Sequence, residues 1–388
     1  MNIIEDVDFL NINHEFRDEE RLIQNSVRKF VGEQFLPTIE EHYNNRSFPL
    51  QIIPKMGKMG LLGCNLDGYG CTKMSTVAYG LIQQELEAGD SALRSVCSVQ
   101  SSLAMYAIHT FGSEAQKQKW LPPMAAGEVI GCFGLTEPDF GSNPAGMRTH
   151  AKETSTGYRL TGSKCWITNG SVADIAIVWA KLNGEIRGFL VEKGAPGFSA
   201  TEMKRKLSFQ ASITAELNFN NCDIPKENLL PGTEGIKSPL SCLMQARFGV
   251  AWGALGAAAA CFSQAKRYTL ERIQFHDQPL ASHQLVQAKL ADMLTEITKA
   301  QWLTLQVSRL KDRDELRHQH ISMIKMNNTE MALNCARTAR AMLGANGISS
   351  EYPVMRHLCN LESVVTYEGT TDIHKLTLGK DITGIAAF

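Results

Sequence analysis

Three short stretches hold residues whose types and spacing could do chemistry. In Tyr367-Glu368-Gly369-Thr370-Thr371-Asp372-Ile373-His374 a lone carboxylate precedes a glycine that leaves room for a ligand. In a desolvated site such a carboxylate gains enough basicity to take a weakly acidic proton from carbon. On the surface it would only meet water or cap a helix. The second stretch is Cys132-Phe133-Gly134-Leu135-Thr136-Glu137-Pro138-Asp139-Phe140-Gly141-Ser142-Asn143. Backbone and hydroxyl groups at Leu135, Thr136 and Ser142 can hydrogen-bond the edge of a flat heteroaromatic ring, and Gly141 permits close backbone approach. The same residues would also make a Gly/Pro turn between domains. In the third, Lys164-Cys165-Trp166-Ile167-Thr168-Asn169, the indole could cover one ring face and Thr168 could bond a polar edge. A strand Trp serves equally well as core.

These stretches must be positioned by larger elements. After Asp18, read as an N-cap, Leu22, Ile23, Val27, Phe30 and Val31 recur at helical spacing, and helical patterns continue to about residue 130. Gly60-Leu61-Leu62-Gly63 and Gly68-Tyr69-Gly70 punctuate loops rather than cradle phosphate. From about Cys132 the character changes, with Gly157-Tyr158-Arg159-Leu160-Thr161-Gly162 and Ile175-Ala176-Ile177-Val178-Trp179 short, β-rich and bounded by turn residues. Asn183-Gly184 before Phe189-Leu190-Val191 favours a tight type I′ hairpin. Past Pro231-Gly232 long helices return, and Val286, Leu290, Met293, Ile297 and Ala300 form a core stripe. The order is helical, then β, then helical, with units expected at 1–130, 131–236 and 237–388. This makes an α+β chain.

Composition bounds the remaining possibilities. The 388 residues are 44% hydrophobic, with no run approaching a membrane span. A net charge of -1 gives no electrostatic reason to expect nucleic acid or membrane as partner, so any anionic ligand must be held locally. The ten cysteines are scattered without metal or disulfide spacing, and a reducing compartment fits them. His318-Gln319-His320 resembles a metal pair only superficially and reads as a solvated helix end, so no metal is expected. The acidic N-terminus, Met1 to Asp8, lacks the marks of a secretory or transit peptide, and a cytoplasmic location is the expectation.

The second and third stretches together resemble the acyl-CoA dehydrogenase family, and the resemblance then covers essentially the whole chain. It implies an N-terminal α-helical domain, a central β domain and a C-terminal four-helix bundle, assembled as a homotetramer with FAD at a subunit interface. Carried over residue by residue, it implies flavin contacts from Phe133, Leu135, Thr136, Gly141 and Ser142 and from Trp166, Ile167 and Thr168. Arg272, Phe275 and Gln284, with Leu343 and Gly344 in Ala341-Met342-Leu343-Gly344-Ala345-Asn346-Gly347, match segments that hold the pyrophosphate and adenosine of the neighbouring subunit's FAD. Thr370 and Asp372 join the cofactor contacts. Two departures concern that region: one residue more than usual between Phe275 and Pro279, and Ala345 in place of a common glycine.

In the family, the residue matching Glu368 removes the proton α to a thioester while a hydride leaves the β-carbon for flavin N5. Its backbone N–H and a ribityl hydroxyl bond the thioester oxygen. A minority of members place the base at the position matching Ala246, where alanine cannot serve. Asp90 to Ser102, Ala291 to Ile297 and Ile382 to Phe388 resemble those members that act on glutaryl-CoA. There Arg94, beside Ser95, matches the guanidinium that holds the distal carboxylate, a charge too costly to bury unpaired. Read without the resemblance, Arg94 is an exposed helical arginine or a partner for Glu87 or Asp90. Glu87 and Tyr367 match positions associated with decarboxylation. Ser142 and Gly369 would also face substrate. Arg247 either contacts CoA or bonds the protein's own backbone, and His374 reads as structural or adenine-adjacent. Electron-transfer flavoprotein is the expected acceptor.

Overall fold

The computed structural model describes residues 5–387. Met1 to Ile4 of the acidic N-terminus, and Phe388 of the C-terminal ending, lie outside the described residues. The first part is helical: α1 (Asp18–Phe30), α2 (Leu36–Asn44), α3 (Ile52–Lys58), α4 (Thr76–Gly89), α5 (Ser91–Ser98), α6 (Tyr106–Phe111) and α7 (Glu114–Ala125). Two π-helical turns, Val31–Phe35 and Val99–Met105, interrupt it. Helix α1 begins one residue earlier than expected. Asp18 is its first helical residue, and the Arg17 backbone N–H is capped by Glu20 Oε2 at 2.9 Å. Val27 and Phe30 face the core as their spacing predicts, whereas Leu22 is left exposed.

The middle part contains β1 (Gly131–Gly134), β2 (His150–Glu153), β3 (Gly157–Thr168), β4 (Ile175–Leu182), β5 (Glu185–Glu192), β6 (Phe198–Glu202) and β7 (Thr214–Pro225). They form one sheet in the order β1-β4-β2-β3-β7-β6, with β5 paired to β4. The β4–β5 hairpin turns through Asn183 (φ 52°) and Gly184 (φ 89°), the two left-handed positions a type I′ turn requires. Cys132 is in strand β1, and Lys164 to Thr168 lie at the end of the long strand β3.

The last part holds α8 (Lys237–Glu271), the short pair β8 (Ile273–Gln274) and β9 (Gln278–Pro279), then α9 (Gln284–Asp312), α10 (His318–Met342), α11 (Val354–Val364) and α12 (Thr371–Thr383). Phe275, His276 and Asp277 all adopt positive φ, so the extra residue is absorbed by a tight left-handed turn joining β8 to β9. The stripe on α9 turns inward as its period predicts, with Met293, Ile297 and Ala300 buried. Helix α8 has the length and apolarity of a membrane span, yet its most apolar window is wholly buried among the other helices. It packs closely on α4: a Cβ at Gly256 would lie 1.9 Å from the Gln84 carbonyl oxygen, and one at Gly80 would strike Trp252. That close crossing brings the end of α4 against α8, where the candidate site is built.

Candidate active site

Helix α4 ends at Gly89 and α5 starts at Ser91, with the extended residue Asp90 forming the corner. Asp90 Oδ1 accepts the Ala92 N–H at 2.7 Å, the N-cap bond that starts α5. Its Oδ2 accepts from Arg356 Nη1 at 2.5 Å and Asn360 Nδ2 at 2.8 Å, both on α11. This corner turns Glu87 and Arg94 toward each other. Arg94 Nε donates to Glu87 Oε2 at 2.5 Å, and both side chains are buried. Ser91 Oγ donates to the other oxygen of Glu87. Arg94 Nη2 donates to the Tyr367 hydroxyl, whose ring lies beside the guanidinium and is met edge-on by Phe209 at 5.8 Å. Burial disfavours the charged guanidinium, but Glu87, Tyr367 and Glu368 outweigh it, so Arg94 is held firmly protonated. Its Nη1 has no protein partner among the described residues.

Tyr367 and Glu368 lie in the turn between α11 and α12. Glu368 has φ 56°, a left-handed conformation that costs a side-chain-bearing residue about 1–2 kcal/mol. Two cations, the half-buried Arg247 and the buried Lys325, compensate. Arg247 Nε, on α8, donates to the Glu368 carbonyl oxygen at 2.6 Å, and Lys325 Nζ, on α10, donates to the carbonyls of Val365 at 3.2 Å and Gly369 at 2.9 Å. Hydrogen bonds from charged donors contribute about 1.5–3 kcal/mol each, so together they exceed the strain. Of the two roles open to Arg247, the backbone bond is made here through Nε. Glu368 Oε2 is buried with no hydrogen-bond partner. Burial raises the carboxyl above the usual range, with Arg94, Arg247 and Lys325 pulling the other way. A desolvated, unpartnered carboxylate with a raised pKa is the profile of a general base.

The two ring-binding stretches are brought together. The Cys165 N–H donates to the Thr136 carbonyl at 2.9 Å, and Lys164 Nζ donates to the Leu135 carbonyl at 3.0 Å and to Glu137 Oε1 at 2.9 Å. Glu137 also accepts the N–H groups of Arg148 and Thr149, which fixes the start of the loop that runs on to Gly141 and Ser142. Trp166 sits in a β-bulge of β3 at φ 62°, and its indole is 60% exposed. A strained, solvent-facing Trp in a strand whose neighbours are core points to a ligand face. The exposed Ser142 and the half-buried Thr136 and Thr168 offer polar groups beside it. This donor set fits a flavin. Phe133 and Ile167, by contrast, point into apolar clusters, Phe133 against Trp179, so only their backbones are free for a ligand. Ala246 of α8 lies in the same cluster as Phe133 and Leu135, while the next residue bonds Glu368, so α8 links the two walls.

Other positions singled out from the sequence lie elsewhere. Ser95 is buried on α5 beside Arg94. Arg272 precedes the β8–β9 hairpin, Phe275 lies in its turn, exposed and edge-on to His283, and Gln284 begins α9. Leu343 is buried, and Gly344 has φ 59°. Among the described residues none of these hydrogen-bonds the Glu368 turn. Thr370 Oγ1 caps α12 by accepting the Ile373 N–H, and Asp372 in its first turn is exposed. His374 is buried with neither ring nitrogen bonded, and burial lowers it to about 3. No cluster of His, Cys, Asp or Glu suited to a metal occurs among the described residues. Phe209, Asn360 and Lys325 were not visible as site residues, and Asp90, read as a possible partner of Arg94, pairs with Arg356 and Asn360 instead. Lys325 left one sequence signal, a cation at the helical spacing of Ile321, Ile324, Asn328 and Ala332, all of them buried.

Models of the acyl-CoA dehydrogenase N-terminal, middle and C-terminal domains match residues 17–128, 132–222 and 233–383. The chain belongs to the acyl-CoA dehydrogenase family. An acyl-CoA dehydrogenase of Bacillus subtilis is 36% identical over 94% of this chain and 98% of its own length. A crystal structure of glutaryl-CoA dehydrogenase from Mycobacterium smegmatis is 51% identical, with a TM-score of 0.97 over 98% of this chain and 99% of that one. A second, of a glutaryl-CoA dehydrogenase from the same organism in complex with FADH2, is 48% identical with the same TM-score and coverage. The protein is thus an FAD-dependent acyl-CoA dehydrogenase.

Proposed function

We propose that the chain oxidises glutaryl-CoA and decarboxylates the product to crotonyl-CoA, with Glu368 as the base. The observation that carries the substrate choice is Arg94. Its Nε is committed to Glu87 and its Nη2 to Tyr367, so the fork is locked while Nη1 stays free to bond an anionic acyl terminus. The likeness to the Mycobacterium smegmatis structures supports the same reading.

Bound FAD would supply a hydride acceptor, with Trp166 against one ring face and the Leu135–Ser142 and Trp166–Thr168 segments along its edge. Glu368 removes the α-proton of the thioester, and the hydride leaves the β-carbon. The Glu368 backbone N–H faces the thioester oxygen and stabilises the enolate that forms. Loss of the γ-carboxylate as CO2 leaves a dienolate. Glu368, protonated in the first step, returns its proton to give crotonyl-CoA, so atoms and charge balance. Tyr367 and Glu87 hold Arg94 against that carboxylate. We take the three units as 1–130, 131–236 and 237–388, assembled as a homotetramer in the cytoplasm, with electron-transfer flavoprotein as acceptor, with Arg272, Phe275, Gln284, Leu343 and Gly344 contacting the FAD of a neighbouring subunit, and with Thr370 and Asp372 as further FAD contacts.

The test is anaerobic addition of glutaryl-CoA to the yellow holoenzyme, following flavin bleaching, CO2 and crotonyl-CoA. Bleaching with release of CO2 and crotonyl-CoA and no accumulated glutaconyl-CoA supports it. Bleaching by butyryl-CoA but not glutaryl-CoA would transfer the assignment to a short-chain enzyme without decarboxylation.

A further inference from the structure

Lys325 has no part in the chemistry above, yet its ammonium group is fully buried beside the catalytic turn. Its two hydrogen bonds go to Val365 and Gly369, the carbonyls that bracket Tyr367 and Glu368. Both ends of the turn are therefore tied to one point on α10, and Arg247 on α8 ties its middle. A lysine on a core stripe loses hydration that two carbonyls only partly restore, so a purely structural role would be filled as well by a neutral side chain. Its charge is what distinguishes it.

We propose that Lys325 is a positioning residue that holds the Glu368 turn in its left-handed conformation and whose positive charge keeps the Glu368 carboxylate ionised before substrate is bound. This rests on Glu368 being the base. The groups that face Lys325 are Glu368 and His374 from the turn and α12, Arg247 from α8, Arg94 from α5, and Glu330 on its own helix. Among these Glu368 is the leading attraction, and Arg247 and Arg94 oppose the charge. Burial brings the Lys325 ammonium down to about 7, so it is partly charged near neutrality, and its loss raises the Glu368 carboxyl further.

The experiment compares Lys325→Gln, which keeps a donor but not the charge, with Lys325→Arg, which keeps the charge. Each is prepared as the flavin-loaded enzyme, and the rate of flavin reduction by glutaryl-CoA and by butyryl-CoA is followed from pH 5 to 9, with thermal unfolding measured alongside. Activity requires ionised Glu368, so the acidic limb follows its pKa. In Lys325→Gln the limb moves up by about one pH unit, a roughly tenfold lower rate on its acid side, while Lys325→Arg stays within about 0.3 unit of wild type. Equal limbs in wild type and both variants would overturn the proposal even if both variants lost stability, since a structural role moves the melting point alone. Glu368→Gln separates the two levels: if it still turns over, the base assignment fails, whereas an inactive Glu368→Gln with unmoved Lys325 limbs sinks only the role of Lys325.

Discussion

Replacing Arg94 by Met removes a buried cation from two partners at once, and the consequences can be worked out separately for stability and for catalysis. Arg94 and Glu87 are both essentially inaccessible and meet at 2.5 Å. With charge centres about 4 Å apart and an effective dielectric constant of about 20, their attraction is on the order of 4 kcal/mol. Arg94→Met strands Glu87 without a counter-charge and should lower the unfolding free energy by about 3–5 kcal/mol. Glu87→Gln with Arg94→Met removes both charges and should recover most of that loss. The double variant is then the stable background for kinetics. If Nη1 of Arg94 holds the distal carboxylate, losing that bond costs roughly 2–5 kcal/mol of transition-state binding, or about 30-fold to several thousandfold in kcat/KM for glutaryl-CoA. Butyryl-CoA has no such carboxylate, and its kcat/KM should stay within about fivefold. Chemical denaturation and steady-state kinetics on both substrates give the two readouts. Equal losses on the two thioesters would refute the carboxylate role, and a double variant no more stable than Arg94→Met would refute the account of the pair.

Four further outcomes follow from the geometry. Glu368→Gln should lower the rate of flavin reduction at least about 10³-fold while leaving the flavin spectrum and melting point unchanged, and stopped-flow reduction measures it; a loss under tenfold would exclude Glu368 as the base. Because burial raises this carboxyl, the acidic limb of the wild-type pH profile should lie above the ordinary value of 4.5. Trp166→Ala removes an exposed ring at a strained bulge, so FAD should be retained about tenfold more weakly, read as flavin released on gel filtration, with wild-type retention counting against a stacking role. His374 is held near 3 in the fold but titrates near 6.5 when unfolded, so the unfolded chain binds the extra proton between those values. The stability this contributes is complete above pH 6.5 and drains away as pH falls toward 3, by up to about 1.4 kcal/mol per unit. Denaturation midpoints of wild type should fall more steeply from pH 7 to 5 than those of His374→Gln, and parallel slopes would show that His374 is not the group responsible.

What the sequence made legible was what depends on local spacing. The Asn183-Gly184 turn follows from backbone conformations those residues tolerate, and the α9 stripe from its 3.6-residue period. Glu368, Arg94 and Trp166 could be singled out as chemically unusual residues, but their alternatives stayed open until tertiary contacts were known. Glu87 and Arg94 are seven residues apart, and nothing local shows that the chain bends between them. The bend exists because Asp90 caps α5 while Arg356 and Asn360, some 270 residues later, fix its other oxygen. Phe209 arrives from the β part to meet Tyr367 through the same kind of distant bond, its N–H donating to Asn360 Oδ1 at 3.1 Å. The strain at Trp166 was equally invisible, since it comes from the register shift between β3 and β7 rather than from the sequence around it.

The arrangement of charge gives the proposed substrate a second role beyond being recognised. Arg94, Arg247 and Lys325 face the carboxylates of Glu87 and Glu368, while Glu330, the third carboxylate near Lys325, is paired at the surface with Lys375, so with every group ionised the inner cluster carries one positive charge in excess. That excess lowers the Glu368 carboxyl against the effect of burial and keeps it ionised and ready, but it also weakens it as a base. A monocarboxylic thioester leaves the excess in place. A dicarboxylic thioester neutralises it at Arg94 while excluding water from the pocket, and both effects raise the proton affinity of Glu368 at the moment the α-proton must be taken. On the proposed reading, the contact that selects the substrate also strengthens the base, because the distal carboxylate and Glu368 draw on the same buried cations.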